Sequence, residues 1–181
     1  MKSILVAVVV LLSSFIYSQD RINVNATTLV GFPSIGYEKM VAPNFSFHID
    51  ATGSIFNSFN DMPLKFLMIT PEMRWYSKKE NTGLYVGGHI GGVVFNLQKY
   101  GYENSDKYQK GLGYQLGVSV GYIYPVSDRI AIEAFVGGGS VQTFYKGYVK
   151  TTGIRYDGAK EYNKSGEWLP YRGGVTIIFI L

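Results

Sequence analysis

Ser46, His48 and Asp50 stand two residues apart, and in an extended chain residues at that spacing share one face. A serine, a histidine and an orienting carboxylate are the side chains of an activated nucleophile. His48, Asp50 and the other histidine, His89, could also make a facial metal site if neighbouring strands brought them level. The chain offers little else for either chemistry. It has two histidines, no cysteine and no H-E-x-x-H spacing, so zinc has few ligands to choose from. The glycine clusters at 87–88, 91–92 and 137–139 are not followed by Lys-Ser/Thr or by a helical pattern. They read as places of strand curvature and close packing, not as phosphate loops.

The remaining candidates, Glu38, Glu72, Arg74, Glu133 and Arg172, each interrupt an apolar alternation, so the elements that carry them decide what they are for. The clearest element is 112–124. Leu112, Tyr114, Leu116, Val118, Val120, Tyr122 and Tyr124 occupy its even positions, and glycine, Gln115 and Ser119 most of the odd ones. Such alternation outlasts an ordinary strand of ~5–6 residues and reaches the ~9–11 that cross a bilayer at a tilt. Eight extended segments follow from this pattern: 22–31, 35–40, 45–56, 64–76, 84–97, 111–124, 130–145 and 169–181. The connections at 41–44, 77–83 and 125–129 are short and rich in Pro, Asn, Asp and Ser, as tight reversals require. Those at 57–63, 98–110 and 146–168 are longer and polar, and the one near 32–34 is short. Residues 1–18 have Lys2, an apolar run from Ile4 to Leu12 and small residues up to Ser18, the layout of a cleaved export signal. Removing Lys2 lowers the formal charge from +4 to +3, too little and too scattered to point to nucleic acid. The expected organisation is a signal peptide at 1–18 and one domain at 19–181. The domain is all-β: an eight-stranded antiparallel up-and-down transmembrane β-barrel.

Alternation alone does not say which face meets water. A water-washed exterior gains nothing from glycine, whereas a narrow eight-stranded interior needs small residues opposite large ones. Leu67, Ile69, Met73 and Trp75 oppose Thr70, Glu72, Arg74 and Tyr76, and an arginine on a lipid-facing surface at mid-depth costs about 2–4 kcal/mol. The lumen is therefore expected to hold Glu38, His48, Asp50, Glu72, Arg74, His89, Glu133 and Arg172 as a structural polar network. Aromatic girdles are expected from Tyr37, Trp75, Tyr122 and Tyr124 on the short-turn side and from Tyr114, Trp168 and Tyr171 on the long-loop side. Short turns would be periplasmic, long loops external, and both mature termini periplasmic.

PEMRWY at 71–76, GLYVGGHIGG at 83–92, GVSVGYIYPVSDRIAIEAFVGGG at 117–139 and GYEKMVAPNFSFHID at 36–50 together resemble a domain-of-unknown-function family of small bacterial outer-membrane barrels. The resemblance covers most of the mature chain. It implies an eight-stranded barrel akin to OmpA and OmpX and no catalytic residues. Many outer-membrane barrels end in an aromatic residue; this chain ends in Leu181 after Phe179.

The functional expectation is a monomer in the cell outer membrane, without cofactor or metal, in a structural or surface-interaction role. Around eight strands leave an interior that side chains fill, so no transport pore is expected. The lipid bilayer is the expected partner. Loop 146–168, with mixed charge and Tyr148, Tyr156 and Tyr162, suits either adaptable recognition of a surface ligand or envelope protein, or simple solvation. Two alternatives stand beside this. One is a membrane lipid-modifying enzyme; lipid A deacylases carry serine two residues after the histidine, where this chain has Asp50. The other is a soluble periplasmic barrel binding a small apolar ligand.

Overall fold

A computed structural model describes residues 20–99, 101–102, 105–158 and 161–181; the expected export signal at 1–18 lies outside them. The strands are β1 (Asp20–Asn25), β2 (Ser34–Ala42), β3 (Phe45–Gly53), β4 (Ser58–Phe59), β5 (Met62–Tyr76), β6 (Gly83–Leu97), β7 (Lys107–Pro125), β8 (Ile130–Val149) and β9 (Asn163–Ile180). All pairings are antiparallel. Consecutive long strands are neighbours, β9 pairs with β1, and β3 pairs with β5 past the short β4. Eight strands thus close into a ring in which no long strand keeps an unpaired edge. β4 and β5 meet through Asn60 and Asp61, both with positive φ of 50° and 59°, the two-residue geometry that Asn and Asp tolerate in tight hairpins.

Two boundaries differ from the sequence pattern. The segment 22–31 is not one strand. Asn25 ends β1, its side chain accepts the Thr27 N–H, and a 3-10 helix over Ala26–Val30 follows, closed by Gly31 at φ 91°. A side chain that bonds the backbone two residues on competes with the ladder. The first connection therefore runs over 26–33 and joins the long group. At the same end, 107–110, 146–149 and 163–168 are strand, although their polarity reads as loop. Hairpin arms whose inward side is filled by polar groups such as Gln109 need no apolar alternation. They are held by their ladder and by contacts such as the Tyr108–Tyr148 stack at 5.5 Å.

The faces are sorted by chemistry. One register row on the outside carries Phe45, Trp75, Val86, Val120 and Val136 across five strands. Val118 is 65% exposed and Leu116 60%. Inside, by contrast, Arg21, Glu38, Glu72, Arg74, Glu133 and Gln109 are buried. Inward glycines give the large side chains their room. A Cβ on Gly121 would lie 2.5 Å from the Tyr85 ring, and one on Gly36 would lie 2.6 Å from His48 Nε2. Gly88, which faces outward, has nothing within 4 Å of that position.

Gly121→Val should destabilise the fold by about 1–3 kcal/mol through overpacking against Tyr85, while Gly88→Ala should stay within about 0.5 kcal/mol of wild type. Urea unfolding followed by circular dichroism checks both. Equal midpoints for the two variants would contradict the assigned faces.

Candidate functional site

Arg74 occupies the middle of the ring. Its Nε donates to Glu72 Oε2 at 2.9 Å, and its Nη1 lies 3.1 Å from Glu133 and 3.6 Å from Glu38. The Nη1 contacts are ion pairs without hydrogen-bond alignment. The guanidinium carbon sits 4.5 Å from the centre of the Tyr85 ring. Hydroxyls complete the carboxylates: Ser46 and Tyr76 donate to Glu38, Ser119 to Glu72, and Tyr85 to Glu133. Register explains the convergence. Glu38, His48, Glu72 and His89 occupy one row on four successive strands, β2, β3, β5 and β6.

A second group lies next to the first. Arg172 Nη2 donates to Asp50 at 2.8 Å, and its Nη1 is 3.4 Å from Glu72. His48 Nδ1 faces Glu72 at 3.4 Å and Asp50 at 3.9 Å. His89 Nδ1 is 3.9 Å from Glu72, and its Nε2 shares a hydrogen bond of 2.6 Å with the Tyr171 hydroxyl. The eight polar residues named from the sequence thus form one connected cluster. A cavity of about 190 Å³ opens beside it, lined by Asn23, Ser34, His48, Asp50, Thr52 and Arg172 among others.

Six of the seven aromatics assigned to girdles are exposed, Trp168 most of all at 81%. Tyr171 is a correction, since it turns inward to His89 and the cavity. The register between β8 and β9 shifts between Gly137 and Gly139. Pro170 has no N–H for the ladder. The extra residue of this bulge moves Tyr171 to the same side as Arg172, and a Cβ on Gly117 would sit 2.5 Å from its hydroxyl.

Sequence reasoning missed Arg21, which is 1% exposed. It approaches Glu38 at 3.9 Å and donates to the Asn81 carbonyl at 2.9 Å, tying β1 to the turn after β5. Its signal was the alternation Arg21, Asn23, Asn25 against Ile22 and Val24. Also missed was an apolar floor at the short-turn end: Met40, Tyr76, Tyr85, Ile123, Ala131 and Ile178 pack together inside the ring.

The nucleophile reading finds no support in this geometry. Ser46 donates its proton to Glu38, and His48 turns to Glu72 and Asp50. Among the described residues, no three His, Asp or Glu side chains converge to hold a metal. At the other end, the last loop is pinned by Asp157. Burial opposes its charge, but Arg155 Nε donating at 2.6 Å and the Gly147 N–H outweigh that and hold its carboxyl below the usual range. A lowered folded value contributes stability above the unfolded pKa that is lost as pH falls through the folded one.

Arg74→Leu should cost about 3–5 kcal/mol, because it leaves several buried carboxylates without their counter-charge. Adding Glu133→Gln should recover part of the loss, measured by urea midpoints of the single and double variants. In NMR, the Gly147 amide resonance should titrate with a midpoint below the ordinary Asp value of 3.8, and lose that titration in Asp157→Asn.

No curated protein matches the sequence. One family model does, described as "Protein of unknown function (DUF3575)", and it matches residues 4–181. With nearly its whole length covered, and with the closed all-β ring just described, the chain belongs to the DUF3575 family.

Proposed function

We propose that this chain is an eight-stranded outer-membrane β-barrel of the OmpA/OmpX kind, exported by residues 1–18, with a structural or surface-interaction role. The observation that carries the proposal is the inversion of faces: buried charge inside and exposed apolar side chains outside. Between Lys39 near the short turns and the lysines near the long loops, the described outward positions of the eight ring strands hold no charged residue. From Leu112 to Tyr124 the apolar face of β7 runs 12 steps. At ~3.3 Å per residue and a tilt of ~40°, that projects to roughly 30 Å, the thickness of a bilayer's hydrocarbon layer. An exposed apolar surface of this extent is foreign to a soluble monomer.

The interior supports a filled barrel instead of a pore. The Arg74 cluster crosses the lumen, and the floor of Tyr76, Tyr85, Ile123 and Ile178 underlies it. Short turns then face the periplasm with both mature termini, and the long connections, including the 150–162 loop, face outward as the surface for any partner.

Sucrose-gradient separation of membranes should place the protein in the outer-membrane fraction, with a heat-dependent mobility shift on detergent gels. Recovery from the soluble periplasm would refute the proposal. Val118→Arg, at mid-depth on the outer face, should destabilise the membrane-inserted form by about 2–4 kcal/mol; a soluble barrel would tolerate it.

A further inference from the structure

Where the apolar band ends on the long-loop side, the outer face carries a row of lysines. Lys65, Asn96, Lys110 and Lys146 are register partners on β5, β6, β7 and β8. Lys110 and Lys146 are directly opposite one another, and Lys65 lies two strands from Lys110. At the ~4.8 Å spacing of strands, the three ammonium groups share a patch on the order of 15 Å wide. Like charges placed directly across a sheet repel. Among the described residues none of the three forms an ion pair with a carboxylate, whereas Arg155 pairs with Asp157 and Lys99 with Glu167. Lys146 instead lies 4.9 Å over the Tyr162 ring. The row therefore holds an uncompensated positive charge across four neighbouring strands.

The next row down is apolar. Leu67, Val94, Leu112 and Phe144 are register partners on the same four strands. A groove of about 700 Å³ on this face is lined by the three lysines, by Leu67, Val94 and Leu112 of the apolar row, and by Tyr148 and Tyr162 toward the loops. Cation row above and apolar groove below form a surface with the polarity of a single amphiphile.

We propose that this surface binds a phosphorylated, acylated lipid of the outer leaflet, with its phosphates on Lys65, Lys110 and Lys146 and an acyl chain along Leu67, Val94 and Leu112. The inference rests on the outer-membrane reading, which places these lysines where the apolar band gives way to the outer headgroup region. Ammonium groups are point charges that suit phosphate. The phosphates supply the counter-charge the row lacks, and the acyl chain covers side chains that face outward beneath it. Attraction of anionic lipid to each basic side chain near a membrane surface corresponds to roughly fivefold in affinity, and for three on the order of 100-fold.

The test uses the full mature chain refolded into phosphatidylcholine nanodiscs containing lipid A as the probe, with retained lipid A counted by native mass spectrometry. Wild type should retain lipid A over its dephosphorylated form. Lys65→Gln/Lys110→Gln/Lys146→Gln should lose that preference by one to two orders of magnitude while keeping the heat-dependent mobility shift. Lys78→Gln/Lys79→Gln, in the short turn at the opposite end, should retain wild-type binding. Equal retention of phosphorylated and dephosphorylated lipid, or equal loss in both lysine variants, overturns the lipid site and leaves the barrel standing. Failure of wild type to insert into any nanodisc overturns the barrel and the site together.

Discussion

Arg74 lies inside a closed ring with Glu72, Glu133 and Glu38 around its guanidinium, and none of these charges is tolerable there without the others. Desolvating one such group is expensive, so each must be met by an opposite charge and hydrogen bonds. Ser46, Tyr76, Ser119 and Tyr85 supply those hydrogen bonds from four strands. Counting Arg21 and Arg172 against Asp50 and the three glutamates, the interior carries three cations and four anions, with His48 and His89 beside the excess carboxylate. A polar interior of this density commits one face of every long strand. The other face is left with the apolar residues.

That division governs the rest of the molecule. Long polar side chains meeting across a narrow ring need space, and inward glycines on β6 and β7 provide it: Gly87 beneath Glu72, Gly121 beneath Tyr85, Gly117 beneath Tyr171. The glycines weaken their strands locally, and closure of the ring offsets this by pairing every long strand on both sides. The apolar floor at the short-turn end seals the side opposite the 190 Å³ cavity.

Much of this was legible in the chain because strand alternation is a local signal. Glu72 and Arg74 stand opposite Met73 and Trp75 within six residues, and no knowledge of neighbours is needed to see that they share a face. Ile22–Val24 against Arg21–Asn23 carries the same signal in a shorter segment, and was harder to weigh because β1 has six residues. Where both faces carry polar residues, as at 146–149 and 163–168, the pattern vanishes, and strand there is visible only through its partner.

The sequence by itself determined the eight long segments, the polar and apolar side of most of their residues, and the three short turns. These depend on residues two to four positions apart. The tertiary structure alone decided register: that Glu38, His48, Glu72 and His89 fall in one row, that three lysines fall in another, and that a bulge at Gly137–Gly139 swings Tyr171 inward. Register comes from how far each strand slides along its neighbour when the ring closes. That slide depends on all eight strands at once, so no single segment of the chain contains it.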